Sequence, residues 1–219
     1  MLPLLLAALG WIGLHVVVAG PLRPTLVNRM GEARYRLGFS IASAVLLLAL
    51  ILGYRAAPYQ ALWPAPQWSY VWAHLCMAPA FVLLALSLTD SPTAVTAGKC
   101  RFEVHGVFRI TRHPMLNAFA LWALGHAPAN GDVATLLLLG AILITALNGM
   151  ASIDRKRAAA LGESWTPFAE STSRLPFVAI AQSRNRLALD ELSWGRIVLG
   201  LVLYLLALGL HGLPGPALI

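Results

Sequence analysis

The chemistry open to this chain sits on its histidines and on one cationic run. His15 stands among Ile12, Leu14, Val16, Val17 and Val18, with no polar neighbour along the chain. A polar side chain in such a setting faces a bundle interior or a cavity, where it either hydrogen-bonds a neighbouring helix or acts as a ligand. Neutral imidazole binds transition metals and haem iron well. His113 closes the run Arg109-Ile110-Thr111-Arg112-His113-Pro114, and Asn117 follows one helical turn later on the same face. The guanidinium forks of Arg109 and Arg112 suit a phosphate, a carboxylate or a haem propionate, and they equally suit a membrane–water boundary. Asp154, at the head of Asp154-Arg155-Lys156-Arg157, can pair with either arginine. The cysteines offer less: Cys76 lies in an apolar block, where plain packing is expected, and Cys100 in a polar loop, without CxxC or metal-type spacing.

The elements that must position these groups are apolar helices. Of 219 residues, 58% are hydrophobic and 11% charged, against about 25% charged in a soluble domain. A soluble interior cannot hide that much apolar side chain, so lipid is the expected solvent and the fold class is an all-α polytopic membrane bundle, one domain over 1–219. Six spans are expected, at about 2–20, 37–54, 69–88, 114–129, 133–151 and 195–211. The first begins without a positive n-region or a clear cleavage site, which reads as a retained span. The fourth is short, as for a tilted or locally thinned crossing, and Pro114 suits its first turn. A surface helix is expected near Arg155 to Leu161, ended by Gly162, with Trp165 and Phe168 as interfacial anchors.

The net charge of +7 is concentrated in the first, third and fifth inter-span loops, with Arg23, Arg29, Arg34 and Arg36 in the first. No basic stripe interleaved with aromatics appears, which argues against nucleic acid. The alternation places odd-numbered loops in the cytoplasm and both termini in the periplasm, for a multi-pass protein of a bacterial inner membrane. Direction then sorts the histidines by depth. His15, about 8 Å above the inner end of its span, shares a layer with His113; His105 precedes it in the inner loop. His74, His126 and His211 fall near the outer ends, with His74 and His126 as a second pair.

At these residues the chain resembles the NnrU family of membrane proteins, and is similar to the related plant 15-cis-zeta-carotene isomerases. The resemblance runs through Leu14-His15, Gly20-Pro21-Leu22-Arg23, Phe108 to Pro114, Leu124-Gly125-His126, Asn148-Gly149, Ile153-Asp154-Arg155-Lys156 and Arg174-Leu175-Pro176-Phe177. It implies an inner-membrane protein associated with nitric oxide metabolism and denitrification, alongside the machinery of nitric oxide or nitrite reduction. The plant side implies a haem b held by histidines, here His15 and His113, with Arg23, Arg109 and Arg112 near the propionates and Asn117 and Asp154 beside them. It also implies cis-to-trans isomerisation of an apolar, lipid-like substrate. A second likeness, to integral-membrane methyltransferases acting on isoprenylcysteine or phospholipid, rests on the Arg-His-Pro entrance and the stretch from Arg157 through Leu161-Gly162 to Trp165 and Phe168. It implies S-adenosylmethionine at Arg112, His113 and Asp154, although the paired glutamates usual in those enzymes are replaced by Ile153-Asp154.

Overall fold

In a computed structural model, described over residues 1–90 and 103–211, the apolar blocks form helices. Cys100, Lys99 and Arg101 lie outside the described residues. Among those described, strand pairing is limited to an isolated bridge between Ala61 and Asp132. α1 (Leu2–Ile12) runs on as a π-helical segment, Gly13–Val18, and α2 (Arg23–Met30) leaves it at a bend of 77°. α3 (Glu32–Arg55) and α4 (Gln67–Asp90) are long; α5 (Val107–Ile110) is a single turn before α6 (Pro114–His126). α7 (Val133–Leu161) is the longest, followed by α8 (Thr166–Ser171), α9 (Val178–Ala181) and α10 (Trp194–His211).

The ends of these helices follow local chemistry. Proline stands in the first turn of α1, α2, α6 and α8, where its missing N–H is not needed. Asp132 caps α7 by accepting the Thr135 N–H at 3.0 Å. Gly162 stops α7 with φ +53, a conformation that side chains disfavour.

Packing orders the helices as α3, α1, α7, α6, α4, α10, each mainly against its neighbours in that row. One core joins Leu4, Ala7 and Ala8 of α1 to Leu50 of α3 and to Ala134, Leu138 and Ala141 of α7. The other joins Met77, Ala80, Leu83 and Leu86 of α4 to Ala118 of α6, with Ile197 and Tyr204 of α10 against it. Trp122 of α6 touches both cores. Close approach needs small residues: a Cβ on Gly200 would meet the Val82 Cα at 2.7 Å.

The outer faces are apolar. Leu37, Ile41, Val45, Leu48 and Leu52 form an exposed stripe along α3, a pattern that lipid accommodates and water does not. Among the described residues, four helices are long and apolar enough to cross a membrane: Glu32–Arg55, Gln67–Leu88, Val133–Ser164 and Trp194–His211. The bent pair Leu2–Val18 and Arg23–Met30 makes a fifth when counted as one span. α6, at 13 residues, reaches only about 20 Å, so the expected fourth crossing is shorter than the hydrocarbon core. Two further expectations change. The helix expected at Arg155 to Leu161 is the C-terminal end of α7, not a separate surface element. Trp165 and Phe168 are buried, with Phe168 edge-on to Phe108 at 5.7 Å, because the 162–171 segment folds back onto α5.

Candidate functional site

The break between α5 and α6 holds the densest polar cluster. His113 precedes Pro114, and a residue before proline is driven out of the helical region; its φ is −128° and ψ 60°. That break aims Arg112 and His113 at α7. Asp154 Oδ1 accepts from His113 Nε2 at 2.8 Å, and Oδ2 accepts from Arg112 Nη2 at 2.9 Å and Arg174 Nε at 2.5 Å. Arg112 Nη1 donates to the carbonyls of Ala169 at 3.1 Å and Thr172 at 2.9 Å. Two guanidinium groups and an imidazole N–H therefore surround one buried carboxylate, the arrangement a buried charge requires.

Below it, Asn117 and Thr111 stitch the break to the 172–177 segment. Thr111 Oγ1 donates to the Arg174 carbonyl at 2.7 Å, and Asn117 Nδ2 donates to the same carbonyl at 2.7 Å and to His113 O at 2.9 Å. The ionised carboxylate can only accept, so His113 Nε2 carries the proton of this bond. The His113 Nδ1 is buried and makes no hydrogen bond among the described residues.

Arg109 is separate from this cluster. Its Nε and Nη2 each donate to Glu191 at 2.6 Å, and Glu191 also accepts the Gly106 N–H at 2.9 Å. The Arg109 hydrogen bonds pull the Glu191 carboxyl down to about 2.

His15 and Arg23 lie in a different corner. His15 Nδ1 meets the Trp11 carbonyl at 2.9 Å, and its ring lies 4.1 Å from Trp11 and 5.3 Å from Phe39. Arg23 is paired with Glu32 at 2.7 Å and sits over the Tyr35 ring. Lys156 Nζ donates to the Ala19 carbonyl at 2.5 Å, tying this corner to α7.

The expected residues thus fall into two groups. Arg112, His113, Asn117 and Asp154 come together; Arg109 is held nearby by Glu191; His15 and Arg23 keep other company. Of the two histidines expected as haem ligands, His113 gives Nε2 to Asp154 and His15 packs on Trp11 and Phe39. Likewise Arg112, His113 and Asp154, foreseen at a S-adenosylmethionine mouth, are bonded to one another. Among the described residues no group of three or more His, Cys, Asp or Glu is arranged to hold a metal ion. Arg174 and Glu191 were not foreseen as partners. The only sequence signal for Arg174 was its place in a matched motif; Glu191 had none.

Open space lies elsewhere. A cavity of about 340 Å³ runs between α3, α4, α6 and α7, walled by Leu47, Ile51, Met77, Phe81, Phe119 and Trp122 among others. A second, of about 350 Å³, lies between α4, α6 and α10 and shares Met77, Phe81 and Trp122. Its far end is polar: His74 Nδ1 and the Tyr204 hydroxyl are 2.6 Å apart, and the rings of His126 and His211 are 6.5 Å apart. His126 Nδ1 meets the Trp122 carbonyl at 2.8 Å. His74 and His126, the outer pair, therefore line one cavity, with His211 as a third.

A helical bundle with apolar outer faces, interior polar breaks and apolar cavities defines a membrane protein of the all-α class. The chain belongs to the NnrU protein family, whose model matches residues 3–215. It is 31% identical over 136 residues to a 15-cis-zeta-carotene isomerase of Arabidopsis thaliana, covering 60% of this chain and 34% of the plant protein. It is 33% identical over 114 residues to the maize (Zea mays) protein of that name, covering 50% and 28%. The matched region thus spans about a third of these relatives' length. No solved structure matches the chain.

Proposed function

We propose that this protein binds a long polyene in the trough formed by the two adjoining cavities and isomerises one of its double bonds from cis to trans. The observation that carries the reading is a pair of neighbouring apolar cavities with Met77, Phe81 and Trp122 in the wall of each, the second having a polar end at His74 and Tyr204. Its rim residues Leu47, Ile51, Phe119 and Tyr70 are exposed, so a lipid-dissolved molecule can enter from the side. Rotation about a conjugated double bond breaks no σ bond and needs neither water nor a nucleophile, and a dry trough with few polar groups suits it. The relatives named as isomerases of a carotenoid supply the chemical class. The test is co-expression in a host that accumulates 15-cis-zeta-carotene, followed by chromatography of the pigments. Conversion to the isomer trans at that bond is expected; unchanged pigment with the protein present in membranes would sink the reading.

The same reading carries a topology. About six crossings, with α6 the shortest, put the arginine-rich segments at 23–36 and 109–112 and those after α7 at the cytoplasmic face of an inner membrane, and both termini opposite. Reporter fusions after residues 31 and 162 are expected to be cytoplasmic, and a fusion at 131 periplasmic.

A further inference from the structure

One open basic pocket lies outside the apolar cavities and shares Arg112 and Arg174 with the Asp154 cluster. It measures about 430 Å³ and lies where the 169–184 segment wraps over the α5–α6 break; Arg112, Arg174 and Arg184 line it, with Ser173, Gln182 and Leu175. The three guanidinium groups differ in what they have left to offer. Arg112 is committed to Asp154 and to backbone carbonyls. Arg174 uses Nε on Asp154, but its Nη1 and Nη2 make no hydrogen bond among the described residues. Arg184 uses Nε on Gln182 and Nη1 on the carbonyls of Glu170 and Thr172, while its Nη2 makes none among the described residues. Two forks with unused N–H donors therefore border one space, backed by a third positive charge, with Asp154 as the one carboxylate bonded to the wall. Guanidinium forks of this kind recognise phosphate oxygens.

The backbone around the cavity is held in an unusual form. Phe177 and Ser183 have φ of +65° and +57° and bracket the short α9, a left-handed conformation that costs energy in non-glycine residues. The turn at Ser183 is what returns Arg184 over the cavity, with its N–H on the Ala179 carbonyl at 2.9 Å. Beside the arginines, Leu175 and Phe177 are exposed. Positive forks next to exposed apolar side chains match an amphiphile with a phosphate head better than a wholly water-soluble anion.

We infer that this cavity binds a phosphate group, supplied by an anionic phospholipid whose chains lie along Leu175 and Phe177. The site is independent of the isomerase reading, and its test does not use turnover. Detergent-purified full-length protein would be titrated with phosphatidylglycerol and with phosphatidylcholine, and bound lipid counted by native mass spectrometry. Phosphatidylglycerol is expected to bind at least tenfold more tightly. The double substitution Arg174→Gln with Arg184→Gln is expected to abolish that preference, while Arg186→Gln, loss of one positive charge from an exposed residue of the same segment, leaves it intact, and Arg184→Gln alone, the matching single loss, weakens it. Gln182→Glu adds a negative charge to the wall while keeping an acceptor for Arg184, and is expected to weaken binding severalfold in a protein that still folds. Competition by millimolar inorganic phosphate, with no lipid preference, would keep the phosphate site and assign it to a soluble phosphate compound. Equal binding of both lipids without phosphate competition, or an equal loss in Arg186→Gln, would overturn the site.

Discussion

The two ends of this bundle treat histidine in opposite ways. At the α5–α6 break His113 is closed in: Nε2 is on Asp154, the ring is buried, and Asp154 is surrounded by two arginines. At the other end His74, His126 and His211 border open space, and the bond of His74 is to a tyrosine of another helix. The contrast is between a histidine bonded into a buried ionic cluster and histidines that line an open cavity. Depth in the membrane, on which the pairing of His15 with His113 relied, does not make that distinction; the partner of each ring does.

The sharpest way to break the contrast is at Asp154. Asp154→Ala leaves two guanidinium groups and a buried imidazole without their acceptor, and a cost of about 3–5 kcal/mol is expected, read as loss of folded protein or a large drop in unfolding midpoint in detergent. A change below about 1 kcal/mol would make the cluster peripheral and return His113 to the list of ligand candidates. Next in size is Asn117→Ala, which removes the donor to the carbonyls of Arg174 and His113 and is expected to cost about 1–3 kcal/mol by the same measurement.

The Arg109–Glu191 pair sharpens the comparison by pH. The folded pKa of Glu191 is lowered, to about 2, from an unfolded value of about 4.3. Its stabilisation is therefore complete above the unfolded value and disappears as pH falls through the folded one. Unfolding midpoints are expected to fall between about pH 4.3 and pH 2, with that limb flatter in Glu191→Gln. The smallest stability effect is expected at the open end. His74→Ala loses one exposed hydrogen bond, worth about 1 kcal/mol or less, yet should lower polyene conversion severalfold.

How much of this was legible follows from the range of each interaction. The helices were legible because apolar blocks, prolines and Gly162 act within a turn or two of chain. Arg112 with Asp154 was legible because charge in an apolar setting has few places to go, and those two face one side of the membrane. Arg174 and Glu191 were not, because each sits in an irregular segment whose return to α5 and α6 is decided by tertiary packing. Trp165 and Phe168 misled for a related reason: aromatics beside charges suit a lipid boundary, and only the fold-back of 162–171 puts them inside. The length of α6 was visible, but its consequence was not. The break that precedes it leaves backbone groups outside either helix, and the 172–177 segment pairs them, with Arg112 N–H on Ser173 O and Phe177 N–H on Ile110 O, both at 2.9 Å.

The π-helical stretch at Gly13–Val18 has a consequence for register. A π-helical turn carries one residue more than an α-helical one, so everything after it is rotated by about 100° relative to an unbroken α-helix. That extra residue turns the Val18 and Ala19 carbonyls toward Tyr35 and Lys156, and crowds Gly20 so closely on the Val16 carbonyl, 2.1 Å from an added Cβ, that glycine alone fits. Removing a single residue from this stretch would let the helix rewind and swing those carbonyls off their donors. Its fold thus depends there on a count of residues as much as on their kind.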